Sequence, residues 1–173
     1  MENTETENTQ KNIYTAREMF YNGCSFAAGG ELCQKSGEKN FYNLPLIINY
    51  SLSCEILLKA LLVLSSKEIP LKHELKVLFE LLPEEMQLEI NAEMIEKHGS
   101  LLNSLGIPII DEISNAFITW RYIYEKIPGK FASINIDTDY LITFCEILRE
   151  KCCQAVFQSS YSDLIEKKKR TAR

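Results

Sequence analysis

The stretch LPLIINYSLSCEILLKALLVLS, residues 44–65, is the most apolar in the chain. Its apolar residues Ile47, Ile48, Leu52, Cys54, Ile56, Leu57, Leu58, Leu61, Leu62 and Leu64 cover nearly the whole circumference of a helix. A helix that is apolar all round belongs at the centre of its bundle. Asn43 is placed to cap it, and Pro45 falls near the first turn, where a missing N–H does no harm. Its main polar stripe is Ser51, Glu55 and Lys59, at spacings of four. Lys59 interrupts the most apolar part, residues 56–64, which predicts a core helix rather than a membrane span.

The same periodicity recurs on both sides of this helix. Residues 12–28 form a first helix with Ile13, Ala16, Phe20, Cys24 and Ala27 along one face, and Gly29-Gly30 is expected to stop it. A polar linker fills 31–42. A short third helix, 72–82, carries Leu75, Leu78, Phe79 and Leu82. Pro83 breaks it and opens a fourth, which His98-Gly99 ends. A fifth, aromatic helix spans 108–126, with Ile109, Ile113, Phe117, Trp120 and Tyr124 at helical spacing. Asp137 caps a sixth over 138–159. Alternation with a period of two is confined to 131–136. The reading is all-α, an up-and-down bundle of about five to six helices. Residues 1–10 read as a disordered polar tail, 11–160 as one helical domain, and 161–173 as a basic tail.

Composition narrows the function classes. The 173 residues carry a formal charge of −5, which argues against a duplex-DNA binder. The first ten residues lack the apolar segment of a secretory signal. Six cysteines show no Cys-x-x-Cys pair, and Cys54 and Cys145 fall inside apolar helical patterns, so they read as reduced core thiols. Together these predict a cytoplasmic protein with no membrane association, no cofactor and no metal.

Motifs for catalysis are mostly missing. His73-Glu74 begins like a metalloprotease signature, but Val77 stands where the second His is needed. Pro128-Gly129-Lys130 lacks the flanking residues of a phosphate loop. Three polar groups next to core positions remain. Glu55 and Lys59 are one turn apart with the acid first, the favoured order for an ion pair. They read either as an exposed pair or as a stripe facing a cleft or partner helix. His73, at the start of the third helix, reads as a capping or packing imidazole before it reads as a catalyst. Arg121 and Glu125 lie one turn apart amid Trp120, Tyr122 and Tyr124. That cluster either braces neighbouring helices through carboxylates or grips an anionic ligand. The basic run 167–170 reads as a solvated helix end rather than an RNA contact.

The segments SLSCEILLKALL (51–62), HELKVLF (73–79) and FITWRYIYE (117–125) resemble the HEPN superfamily of small helical prokaryotic proteins, over roughly residues 41–158. The resemblance implies a bundle of four or five helices, a homodimer, and roles near RNA. Its members include toxin ribonucleases, partners of nucleotidyltransferases, and components of defence or mobile-element systems. Catalytic members carry an Arg followed a few residues later by a His. Here Arg121 lies on the corresponding helix and no His follows it, so that catalytic His is not carried over. Glu55, Lys59, His73, Arg121 and Glu125 match polar positions of non-catalytic relatives.

The leading expectation is a non-catalytic HEPN-like module that dimerises and binds RNA, a nucleotide or a partner protein, in a toxin–antitoxin or defence setting. Its polar site is expected to gather Glu55, Lys59, His73, Arg121, Tyr124 and Glu125. Two alternatives stay open. One is a metal-independent ribonuclease with His73 as general acid or base and Arg121 stabilising the charged phosphorane. The other is a structural adaptor.

Overall fold

The computed structural model describes residues 2–36, 39–99, 108–115 and 136–171. Among them are seven helices and no strand, the all-α bundle expected from the periodicity. They are α1 (Glu2–Lys35), α2 (Lys39–Leu64), α3 (Leu75–Glu80), α4 (Glu84–His98), α5 (Ile109–Ser114), α6 (Thr138–Phe157) and α7 (Tyr161–Thr171).

The centre of the molecule is α2, as its apolar circumference requires. Cys54, Leu57, Leu58, Ala60, Leu61 and Leu62 are fully buried. The segment Asn43–Leu64 is long and apolar enough to cross a membrane by composition, but 72% of its most apolar window is buried inside the bundle. The helix starts earlier than Asn43, at Lys39, so Pro45 lies inside it. The carbonyl of Pro45 accepts a hydrogen bond from the Asn49 side chain at 2.7 Å.

Packed along α2 is α1, running antiparallel to it. Gly23 lies against Leu57 and Ser53, whereas Gly30 lies against Tyr50. This corrects the expectation that Gly29-Gly30 ends the first helix. Each glycine costs a helix about 1 kcal/mol relative to alanine, but here their missing side chains let two helices approach closely. A Cβ on Gly30 would sit 2.6 Å from the Tyr50 ring. At Gly23 the carbonyl takes a 2.8 Å hydrogen bond from the buried Ser53 hydroxyl. At its other end α1 begins at Glu2, so the backbone of the expected tail is helical. No proline interrupts that stretch, and elongating a helix from a packed segment is far easier than starting one.

The second long core helix, α6, runs parallel to α2. Ser53 meets Cys145 at 3.2 Å, and farther along both helices the Cys152 thiol donates to the Leu57 carbonyl at 3.3 Å. Asp137 caps α6 as expected, accepting from the Tyr140 N–H at 2.9 Å. All six cysteines are free, and Cys54, Cys145, Cys152 and Cys153 are buried.

Shorter helices close the remaining sides. Antiparallel to α6, α4 is clamped by Lys151, which reaches Glu89 at 2.7 Å and Glu93 at 2.9 Å. Gly99, at φ 83°, ends α4 in the left-handed conformation that glycine adopts without strain. The expected basic tail is largely a helix, α7, opened by Ser160, whose hydroxyl accepts from the Asp163 N–H at 3.1 Å. Its basic run is exposed, the solvated helix end expected, with two cation–ring contacts beside it. Arg149 lies 4.2 Å over the Tyr161 ring, and Lys168 lies 4.0 Å over that of Tyr21. Only the first part of the expected fifth helix is described, as α5, preceded by Pro108.

Candidate functional site

On α2 the stripe Ser51, Glu55, Lys59 is turned inward at its first two positions. Ser51 is fully buried and Glu55 is 5% exposed. A carboxylate taken that far out of water needs a cation or several donors. Two donors converge on one of its oxygens. Lys59 Nζ lies 2.8 Å from Oε1, and His73 Nδ1 lies 2.9 Å from the same atom. The reading of Glu55 and Lys59 as an exposed pair is therefore corrected: their side chains are 6% and 13% exposed. The second option for the stripe, a face turned toward another element, is the one realised.

His73 comes to this carboxylate from the turn before α3, and its ring is about half exposed. Because the carboxylate can only accept, Nδ1 carries the proton in this pair, leaving Nε2 as the nitrogen open to other partners. The turn is held locally. The His73 N–H donates to Glu74 Oε2 at 3.3 Å, and the bond from Glu74's own amide, followed by this one, lowers the Glu74 pKa. The expected capping role of His73 is not seen, since α3 begins at Leu75 and Glu74 occupies the cap position.

One part of the trio is incomplete. Among the described residues, Glu55 Oε2 and Ser51 Oγ are both buried without a hydrogen-bond partner. Arg121, Tyr124 and Glu125, expected at the same site, lie outside the described residues. Sequence spacing placed Ser51 on the stripe but gave no sign that its hydroxyl would be stranded there.

A second feature was not foreseen. A cavity of about 360 Å³ lies between α3, α4, α5 and α6, lined by Phe79, Tyr140 and Phe144 together with Lys76, Gln87 and Asn91. Lys76 is tied down by Asp111 at 2.7 Å, and that hydrogen bond raises its pKa. The Gln87 amide donates to the Glu80 and Leu82 carbonyls. Residues from four elements build this cavity, so no single sequence window carries its signal. Among the described residues, no group of three or more His, Cys, Asp or Glu side chains is arranged to hold a metal.

No family model, no curated protein and no solved structure matches this chain.

Proposed function

We propose that the protein is a non-catalytic, HEPN-like helical module that works as a cytoplasmic dimer and binds RNA, a nucleotide or a partner protein. The setting implied by the resemblance is a toxin–antitoxin or defence system. The observation that carries the reading is the meeting of Glu55, Lys59 and His73. Two of the three segments on which the resemblance rests contribute to a single polar site around the buried Glu55, although the turn bearing His73 lies well beyond the end of α2. Polar residues that merely decorate a core would not converge on one carboxylate oxygen.

The chemistry of the trio supports binding before catalysis. Glu55 already neutralises Lys59, and the one imidazole of the site is bound to that same carboxylate. Binding is tested by titrating labelled single-stranded RNA and nucleotides with the purified chain at low salt, because phosphate contacts weaken steeply as salt rises. Light scattering at micromolar concentration tests the dimer. A monomer that binds none of these ligands would contradict the reading.

The ribonuclease reading keeps second place on one observation. His73 is oriented by a buried carboxylate through Nδ1 while its ring remains half exposed, the arrangement that fixes a tautomer for proton transfer at Nε2. Loss of RNA cleavage in His73→Ala would promote it.

A further inference from the structure

We infer that the cavity between α3, α4, α5 and α6 is a binding site for a small, uncharged aromatic molecule that carries an N–H group. Its volume, about 360 Å³, is many times what one water needs and falls within the range of small-molecule pockets. Two of its lining residues, Glu80 and Pro108, are exposed, so a ligand can reach it from solvent. It shares no residue with the site of Glu55, Lys59 and His73, and its occupant is independent of the RNA reading above.

Three buried rings set the chemistry of the occupant. Phe144 meets Phe79 edge-on at 6.1 Å and stacks on Tyr140 at 6.2 Å, and all three line the cavity. Water against such a surface finds few hydrogen bonds, and a flat apolar ring that displaces it gains contact with the aromatic side chains. Gln87 and Asn91, one turn apart on α4, supply the polar edge. The Gln87 nitrogen donates to the Glu80 and Leu82 carbonyls at 3.1 and 2.9 Å, which uses both of its hydrogens and leaves Oε1 as an acceptor. The partly buried Asn91 amide has no hydrogen-bond partner among the described residues. An acceptor and a free amide beside aromatic rings call for an N–H on the ring that enters. Charge is selected against in both signs. Lys76 is already held by Asp111 at 2.7 Å, so the exposed Glu80 is left to repel an anion. A cation would give up its hydration to lie among rings that offer it no buried carboxylate among the described residues.

Calorimetric titration of the full chain decides it, with indole as the probe. Indene is the control of the same shape without an N–H, and indole-3-carboxylate is the anionic control. Indole binds with a Kd on the order of 0.1 mM, as a ligand of its size allows. Indene and indole-3-carboxylate each bind about tenfold more weakly. Asn91→Trp puts a large ring into the cavity and abolishes indole binding, with a melting temperature that shows the chain still folded. Gln87→Met removes the acceptor at nearly constant length, so indole falls to the level of indene while indene is unchanged. This second variant carries the comparison if Asn91→Trp does not fold. The inference is overturned if indole shows no binding up to its solubility limit, or if either control binds as well as indole. Indole binding unchanged by Asn91→Trp, or by Gln87→Met, overturns it as well.

Discussion

Glu55 Oε1 and His73 Nδ1 lie 2.9 Å apart, joining the central helix to the turn before α3 across eighteen positions of sequence. The carboxylate in this contact is almost fully buried, whereas the imidazole is about half exposed. The two partners are therefore unequal. Glu55 depends on its donors for its place in the core, while His73 can exchange the carboxylate for water.

That inequality predicts an order of stabilities. Glu55→Ala leaves Lys59 in a mostly buried position without its counter-charge and should cost about 3 kcal/mol. His73→Ala removes one hydrogen bond from a ring already in contact with water, and should cost about 1 kcal/mol or less. Urea unfolding monitored by circular dichroism reads both. Equal losses would mean that the pair is not seated as described.

The adjacent glycines of α1 make opposite predictions. A Cβ at Gly29 would meet the Asn49 side chain at 3.1 Å, and that amide can give by a few tenths of an ångström. At Gly30 it would meet the Tyr50 ring at 2.6 Å, and Tyr50 is buried. Alanine improves helix propensity at either position by about 1 kcal/mol. Gly29→Ala should therefore be neutral or slightly stabilising, and Gly30→Ala should lose about 1–3 kcal/mol. Melting temperatures of the two variants check the sign.

Alkaline pH should destabilise the protein. Burial pushes the Cys24 thiol up from its ordinary 9.0 to about 12 and the Cys153 thiol up to about 11, and it raises Tyr140 from 10.0 to about 12. A group whose pKa is raised by folding holds its proton more tightly in the native state. Its contribution is fully present below the unfolded value and is lost as pH rises toward the folded one. The melting temperature should be flat from pH 7 to about 8.5 and fall progressively above about 9. In the native state at pH 8, an aromatic disulfide reagent should react quickly with at most Cys24 and Cys33, and with all six thiols after unfolding.

Much of this was legible in the sequence, and the misses have physical causes. The apolar circumference of 44–65 located the core, and Asp137 marked the start of α6, because periodicity and capping are local signals. The glycines of α1 were misread as a stop. In isolation they are one, and only the Tyr50 ring packed against Gly30 shows that they serve a close approach. The basic run 167–170 is the solvated helix end that its charge indicates, and only the contact of Lys168 with the Tyr21 ring on α1, far away in sequence, has no local signal. For the site, spacing gave the pair Glu55 and Lys59, and the resemblance grouped His73 with them. Neither could show that one oxygen of Glu55 takes both donors while the other takes none among the described residues.

The most direct test of the functional account is one incubation of the purified full chain with end-labelled single-stranded RNA at low salt, divided between a native and a denaturing gel. A non-catalytic RNA-binding module predicts a retarded band on the native gel and full-length RNA on the denaturing gel, unchanged by His73→Ala. Cleavage products that disappear in His73→Ala would contradict the account and make Glu55 and His73 the core of a nuclease.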